Sequence, residues 1–311
     1  MKRMRKEEFF MYSETIIKLL EFMEKSQKTQ LQIAKETGIS NTVISQFIGG
    51  TYKGDNEEVA NSIEKYLVLA NERLENVDNT VFYKNLKNTK TSLFAVKYAH
   101  KNCEVVLLSG DAGAGKTTAL EYYAKNNTGV IFVTASICTS SPTAILKEIA
   151  LAIGKRATGS KGQIEKMLIS VLSNSNRLII IDEADQLTFN AIQAVRNLND
   201  KAHVGILLSG NNKIYNQMVM GARCTEFDQV RTRIFVRPKV SNSYTIEEMQ
   251  HIFPNVEPKG IGVLLKLAER ESLRMAVKLF NAVIELGING GNTVKASDLK
   301  LVQEQFLGEI F

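Results

Sequence analysis

The segment 110–117 has the residue types and the spacing of a loop that binds phosphate groups. Its sequence, Gly-Asp-Ala-Gly-Ala-Gly-Lys-Thr, fits the pattern G-x-x-x-x-G-K-[ST] completely. In such a loop, consecutive backbone N–H groups surround phosphate oxygens, the lysine reaches the β- and γ-phosphates, and the threonine hydroxyl binds Mg²⁺. We therefore predict ATP and Mg²⁺ as cofactors, with Lys116 in a catalytic role and Thr117 as a metal ligand. The residues predicted to contact ATP are Gly110, Asp111, Ala112, Gly113, Ala114, Gly115, Lys116, Thr117 and Thr118.

A second set of candidate residues follows two apolar runs further along the chain. The run 178–181 leads directly into Asp182 and Glu183, and the run 204–208 leads into Ser-Gly-Asn-Asn. Carboxylates at the end of a buried parallel strand lie at the edge of the sheet where ligands bind. We predict that Asp182 holds Mg²⁺ and helps to bind ATP, and that Glu183 polarises the water that attacks the γ-phosphate. A polar side chain at the end of the second run can sense the γ-phosphate.

The elements that must position these residues indicate an α/β protein with additional helical parts. From residue 104 onward, strand-sized apolar runs alternate with helical patterns, which is typical of a P-loop core built on a parallel sheet. A chain of 311 residues is also too long for one small module. We predict an all-α helix-turn-helix domain over 1–75, a polar linker over 76–90, an ATPase core over 91–240 and a small C-terminal helical domain over 241–311.

The N-terminal segment carries the pattern of a helix-turn-helix. The small Ala34 lets two helices approach each other, Gly38 supplies the turn, and Ser40 can cap the second helix. Ile44 and Phe47 are expected to bury the inner face of that second helix. Its exposed positions then become candidate contacts to DNA bases or phosphates. A module that only docks other proteins, or that spaces them, is the alternative.

The net charge of +6 is concentrated in the middle of the chain. Residues 76–240 contain 21 Lys/Arg and 12 Asp/Glu, whereas residues 1–75 contain 11 and 12, and residues 241–311 contain 7 and 9. This local surplus indicates a polyanion such as DNA as the partner, with a lysine-rich solvated surface as the alternative. The candidate DNA contacts are Lys155, Arg156 and Lys161 in the core, and Thr42 and Gln46 in the helix-turn-helix.

The sequence has only short apolar runs, and it lacks the residue spacings of metal-binding motifs. No apolar run approaches the ~20 residues of a membrane helix, and the basic residues near the N-terminus are followed by acidic residues rather than by an apolar stretch. The three cysteines and three histidines lack the spacing of a zinc site or a disulfide framework. We therefore expect a cytoplasmic protein with no membrane partner.

The glycine-rich loop, the acidic strand end and the polar strand end together resemble the AAA+ ATPases. The resemblance implies that Asn211, with Asn212 as the second choice, is the residue called sensor 1, which senses the γ-phosphate. It further implies that Arg233, with Arg231 as the alternative, is the arginine finger offered to the nucleotide of a neighbouring subunit. Arg274 lies in the sequence Glu-Ser-Leu-Arg at the start of a predicted helix. That position resembles sensor 2, which contacts the γ-phosphate from the C-terminal domain.

The order of the parts resembles the Mu B family of phage DNA-transposition proteins. The runs that carry this resemblance lie at 42–48, 52–57, 180–185, 210–211, 214–215, 225–227, 233–234 and 273–274. The resemblance implies an ATPase that forms filaments on duplex DNA with little sequence preference. It also implies that the protein delivers this DNA to a DDE transposase and activates strand transfer.

The sequence departs from that family in two respects, and two other functional classes are alternatives to it. The basic loop of the family is diluted here to 155–161, and the C-terminal segment is acidic overall. One alternative is an ATP-dependent DNA loader or initiator of the helicase-loader type. The other is a DNA-binding regulator in which the helix-turn-helix reads an operator and ATP acts as a switch. Sequence-specific, ATP-independent footprints would favour the regulator.

Overall fold

The computed structural model describes residues 12–78, 84–219 and 234–307. The chain divides into two compact units, Met1–Val81 and Phe82–Phe311. The first unit is helical, and the second contains a parallel sheet with helices on both faces followed by a group of helices.

The first unit has the helix-turn-helix geometry that the sequence predicts. Gly38 ends the second helix with a left-handed φ of 75°, and the Ser40 hydroxyl accepts a hydrogen bond from the N–H of Val43. Ile44 and Phe47 are fully buried in the core of this unit. The helices of the first unit are α1 Ser13–Ser26, α2 Gln30–Thr37, α3 Asn41–Ile48 and α4 Asn56–Asp78.

The segment predicted as a linker, 76–90, contains helix at both of its ends. Helix α4 continues to Asp78, and α5 spans Lys87–Asn102. The backbone N–H of Lys87 donates to Glu248, and the Asn88 side chain donates to the carbonyl oxygen of Ser241. These contacts join residues more than 150 positions apart, so the local polar composition carries no sign of them.

A five-stranded sheet forms the centre of the second unit. All of its strand pairs are parallel, and the strand order is β2-β3-β4-β1-β5. Successive side chains of a strand point to opposite faces, and both faces are buried, which explains the nearly continuous apolar runs. The strands are β1 Val105–Gly110, β2 Val130–Thr134, β3 Leu178–Asp182, β4 Gly205–Gly210 and β5 Lys239–Val240.

Helices cover the two faces of the sheet with separate apolar clusters. Val106, Leu108 and Leu207 pack on the face that carries α5, whereas Leu107 and Leu208 belong to the cluster on the other face. The helices in this part of the unit, after α5, are α6 Lys116–Asn126, α7 Pro142–Ala152, α8 Lys161–Leu172, α9 Phe189–Ala202 and α10 Asn212–Val219.

The C-terminal helices enclose an apolar cluster of their own. Leu264, Ala276 and Leu299 are fully buried there, and Leu86 from the start of α5 joins the same cluster. Among the described residues, no helix has both the length and the apolar composition needed to cross a bilayer. The C-terminal helices are α11 Ile246–Ile252, α12 Pro258–Arg270, α13 Leu273–Glu285 and α14 Ala296–Val302, and a π-helical turn follows at Gln303–Leu307.

Candidate nucleotide-binding site

The loop after β1 has a backbone path that its glycines permit. Gly113 and Gly115 have φ angles of 73° and 86°, which fall in the left-handed region that residues with a Cβ rarely adopt. A Cβ added at Gly113 would lie 2.6 Å from the Cβ of Ser272, at the start of α13. A Cβ at Gly110 would collide with the carbonyl oxygen of Val240. The glycines thus allow the loop to pack closely against β5 and α13 while its N–H groups lead into α6.

Lys116 lies at the first turn of α6, inside the curve of this loop. Its ammonium group donates hydrogen bonds to the carbonyl oxygens of Gly110 and Asp111, at 3.0 and 2.8 Å. Burial lowers the pKa of Lys116, and the carboxylates of Asp182 and Glu183 oppose that shift. The charge is therefore partly desolvated at the point where the loop can receive a phosphate group.

Thr117 and Asp182 supply adjacent oxygen atoms of the kind that Mg²⁺ prefers. The Thr117 hydroxyl donates to Oδ2 of Asp182 at 2.6 Å, and the Ser209 hydroxyl donates to Oδ1 of the same carboxylate at 2.7 Å. Asp182 is only 2% exposed, so its orientation is fixed by the core of the sheet. A hydroxyl next to an oriented carboxylate fits the hard, oxygen-rich coordination of Mg²⁺.

Glu183 follows Asp182 and extends from the end of β3 toward solvent. Its backbone adopts a left-handed φ of 53°, which turns the chain sharply away from the strand. Partial burial raises the pKa of its carboxyl group, and the carboxylates of Asp182 and Asp185 act in the same direction. The positive charges of Lys116 and Arg274 oppose this shift. Glu183 is thus an exposed carboxylate whose charge interacts with Lys116 of the phosphate loop and with Arg274.

Asn211 is held against the end of β3 by Asp185, a residue that no motif in the sequence assigns to the site. The backbone N–H and the side-chain amide of Asn211 donate to the two carboxylate oxygens of Asp185, at 3.1 and 2.8 Å. The side-chain oxygen of Asn211 accepts from the N–H of Lys213. Asp185 is nearly buried and fixes the end of β4 relative to the acidic end of β3. An acidic residue three positions after Asp182 is the one signal of this role in the sequence.

Asp111, the second residue of the phosphate loop, joins the loop to two other parts of the second unit. Its carboxylate accepts from the side-chain amide of Asn212 at 2.7 Å and from the backbone N–H of Asn242 at 3.0 Å. Asn212, the second choice for the γ-phosphate sensor, therefore contacts the loop directly, whereas Asn211 is engaged by Asp185. The glycine-rich pattern predicts only a backbone role for Asp111, so these side-chain contacts are an addition.

Asn242 connects the phosphate loop to the C-terminal helices. Its side-chain amide lies 3.1 Å from the carbonyl oxygen of Ala112 and 3.3 Å from that of Glu271. The hydroxyl of Tyr244 donates to the side-chain oxygen of Asn242, and burial raises the pKa of Tyr244 to about 12, so this hydroxyl keeps its proton. No local pattern in the sequence marks Asn242.

Arg274 and a cleft both lie next to the phosphate loop. A Cβ at Gly113 would lie 3.4 Å from the Cβ of Arg274, so this arginine stands beside the loop at the start of α13. Asp111, Asn212 and Glu271 are among the residues that line an adjacent cleft of about 380 Å³. That volume lies within the usual range for sites that bind small molecules.

The remaining predicted residues lie elsewhere in the chain. Lys155 and Arg156 are exposed between α7 and α8, and Lys161 is the exposed first residue of α8. Thr42 and Gln46 are exposed on α3 of the first unit, and Thr118 is exposed on α6. Arg231 and Arg233 lie outside the described residues.

This chain is similar in sequence to a known domain family and to known phage and prophage proteins. Residues 99–218 match the family model described as AAA domain. The chain is 30% identical over 222 residues to the "ATP-dependent target DNA activator B" of Escherichia phage Mu, with 71% of each sequence covered. It is 33% identical over 210 residues to the "Mu-like prophage FluMu DNA transposition protein B" of Haemophilus influenzae, which covers 66% of this chain and 72% of that protein.

A solved structure supports the same fold at much lower sequence similarity. Cdc6p from Pyrobaculum aerophilum matches with a TM-score of 0.51 and 15% identity, over 69% of this chain and 65% of that chain. At this level of identity the match shows a shared fold. The predicted P-loop core with a parallel sheet is thereby confirmed.

Proposed function

We propose that this chain, which belongs to the family of Mu-like B transposition proteins and is an AAA ATPase, binds target DNA when ATP is bound. It then activates transposition into that DNA. The observation that carries the proposal is the joining of the phosphate loop to the acidic end of β3 through Thr117 and Asp182. That contact builds a nucleotide site in a chain whose relatives are named for DNA transposition.

The residues of the site divide the work of ATP hydrolysis between them. The loop N–H groups and Lys116 bind and orient the phosphates, and Thr117 and Asp182 hold Mg²⁺, which when bound neutralises charge on the phosphate oxygens. Glu183 accepts a hydrogen bond from the attacking water and aligns it with the γ-phosphate. Arg274 and the amide of Asn211 or Asn212 are proposed to detect whether the γ-phosphate is present.

Assembly of several subunits is the second part of the proposal. Arg233, with Arg231 as the alternative, would act on the nucleotide of a neighbouring subunit, so that turnover depends on an ATP-dependent homo-oligomer. A filament of cores would also present Lys155, Arg156 and Lys161 repeatedly to duplex DNA. Weak phosphate contacts then add up through multivalency without base readout. In this scheme, Thr42 and Gln46 have a secondary or loading role.

The final part concerns the partner that uses the bound DNA. We propose that the filament delivers its DNA to a DDE transposase and stimulates strand transfer, and that the transposase in turn stimulates ATP hydrolysis and release. Electron microscopy of the protein on duplex DNA should show coated DNA with ATP and bare DNA with ADP. A strand-transfer reaction with the cognate transposase should then prefer the coated DNA as target. A footprint at one sequence that forms without ATP would instead identify a regulator.

A further inference from the structure

Helix α5 presents a row of lysines that the nucleotide site does not use. The exposed residues Lys87, Lys90, Phe94, Lys97 and Lys101 recur at alternating intervals of three and four. That spacing places them on one side of the helix, and we call this side the basic face. Segment 84–103 contains five lysines and one histidine but no acidic residue. More than half of the positive surplus of residues 76–240 therefore comes from this one helix and its approach.

The opposite side of α5 is fixed to the sheet. Ala95, Val96 and Ala99 are fully buried and pack in the cluster that contains Val106 and Leu108 of β1. The basic face is therefore held rigidly on the second unit and points away from the sheet. Between its first and last lysines, 14 positions apart, it spans about 21 Å, or roughly six base pairs of a duplex.

The distribution of charge on α5 opposes the stability of the helix itself. Lys87 and Lys90 lie in the first turn, where the helix dipole disfavours positive charge; α5 has no acidic residue there, and the carboxylate bound to this turn is that of Glu248, which accepts from the N–H of Lys87. Lys97 and Lys101 form a like-charged pair at i and i+4, an arrangement that also destabilises a helix. The helix dipole favours positive charge only at the C-terminal end, so it explains only the basic residues of the last turn. The stability of α5 therefore does not explain this pattern of positive charges.

Some lysines on other helices of this chain have a carboxylate partner. Lys18 of α1 pairs with Glu14 at 2.6 Å, and Lys201 of α9 pairs with Glu165 at 2.8 Å. Within the described part of the chain, the lysines of the basic face form no ion pair. Lys84, just before α5, instead lies 4.9 Å from the ring of Tyr122 on α6 and extends the positive surface. The basic face is thus an unneutralised row of ammonium groups.

We propose that the basic face of α5 binds the phosphate backbone of duplex DNA. The proposal rests on the proposed function and adds a contact surface on a rigid helix next to β1. Four ammonium groups in a row suit an evenly charged rod, and segment 84–103 itself contributes no carboxylate that would repel phosphate. Phe94, 58% exposed between Lys90 and Lys97, supplies an apolar contact to the sugar edge and carries no charge. The contact is independent of base sequence.

The test compares two charge-matched variants of the full-length protein. The first changes Lys87, Lys90, Lys97 and Lys101 to glutamine, and the second changes Lys259, Lys266, Lys278 and Lys300, which are exposed on C-terminal helices, to glutamine. Glutamine preserves helix propensity, and circular dichroism with thermal melting checks that both variants fold. Binding to fluorescent duplexes of different sequence is measured with ATP over a salt series.

We expect the α5 variant to bind every duplex roughly tenfold or more weakly, with the slope of log affinity against log salt reduced by about 0.9 for each phosphate that is no longer neutralised. The control variant should bind like the wild type. Arginine at the four α5 positions should restore both affinity and slope. Phe94→Ala should weaken binding less and leave the slope unchanged, because it removes no charge.

Three results would overturn the inference. Equal losses in the α5 and control variants would mean that only the net charge matters, and unchanged binding in the α5 variant would exclude the face. If the wild type self-associates with ATP in sedimentation without DNA and the α5 variant does not, the face is an interface between copies of the chain. A wild-type protein that binds no DNA with ATP would be a different outcome, since it would contradict the proposed function itself.

Discussion

The hydroxyl of Thr117 and the carboxylate of Asp182 are joined by a hydrogen bond of 2.6 Å. This contact connects the start of α6 to the end of β3, two elements 65 positions apart in sequence. Because Ser209 engages the other carboxylate oxygen, β4 fixes the same group from a third element. The two residues proposed to hold Mg²⁺ are therefore positioned by the buried sheet, and we expect the site to tolerate changes in surface loops but not in these strand ends.

Substitutions of Lys116 and Glu183 should separate binding of ATP from its hydrolysis. Lys116→Ala removes the ammonium group that reaches the phosphates, so ATP binding and DNA assembly should both be abolished. Glu183→Gln preserves the phosphate loop but removes the carboxylate that orients water, so ATP and DNA should still bind while hydrolysis slows. Isothermal titration and single-turnover hydrolysis measure the two effects. Tight ATP binding by the Lys116 variant would contradict the assignment.

Gly113→Ala should disturb the contact between the phosphate loop and α13. The added Cβ would meet Ser272 at 2.6 Å in a backbone conformation, with φ of 73°, that alanine disfavours. We expect a loss of stability of about 1–3 kcal/mol and weaker ATP binding, because α13 also carries Arg274. Chemical denaturation with and without ATP measures both quantities.

A matched control for this change is Gly262→Ala in the interior of α12. A Cβ there would meet no atom within 4 Å, and the glycine occupies a helical position. Alanine should therefore stabilise the protein by about 0.5–1 kcal/mol through its higher helix propensity. If both substitutions destabilise the protein equally, the effect at Gly113 does not come from the contact with Ser272.

Local sequence patterns predicted the parts of the site that lie close together in the chain. The glycine spacing of 110–117 and the acidic residues after 178–181 describe single loops, whose conformation follows from a few neighbouring residues. The same is true of the turn at Gly38 and the cap at Ser40. These predictions hold because each depends on backbone chemistry within one short segment.

The residues that the sequence did not reveal act through distant contacts. Asn242 donates to Asp111 across 131 positions, and Asp185 accepts from Asn211 across 26 positions. The linker expected over 76–90 includes the first turn of α5, because the polar start of that helix is held by Glu248 and its later turns pack on the sheet. These features depend on tertiary packing, which leaves no periodic pattern in the local sequence.

Mixing of two inactive variants should reveal the arginine finger. A finger acts across a subunit interface, so Arg233→Ala should retain nucleotide binding while DNA-stimulated turnover falls, within the ~10³–10⁵-fold that such residues supply in other phosphoryl-transfer systems. Glu183→Gln subunits have a finger but no water activator. Mixed oligomers of the two variants should therefore regain part of the turnover that each lacks alone. If Arg233→Ala alone has full turnover, and Arg231→Ala regains turnover only when mixed with Glu183→Gln, the finger is Arg231.

The loop between α7 and α8 should contribute more to DNA affinity than the helix-turn-helix does. Replacement of Lys155, Arg156 and Lys161 by alanine removes three exposed charges. It should weaken binding uniformly across sequences and reduce the salt slope by about 0.9 for each phosphate that these side chains neutralise. Thr42→Ala with Gln46→Ala removes polar groups from a segment with no positive surplus, so a smaller effect is expected. Fluorescence anisotropy with ATP on several duplexes over a salt series compares the two sets.

The outcome of that comparison also discriminates between the functional classes. A largely sequence-independent binder should show the same ranking of the two variants on every duplex, because phosphate contacts carry no sequence information. An operator-reading regulator should lose more from the change at Thr42 and Gln46, and only on its own site, since base-edge contacts are worth about 1–3 kcal/mol each. If the pair on α3 costs more than the three core residues, the helix-turn-helix is the main DNA reader. Filament assembly on target DNA would then lose its main support.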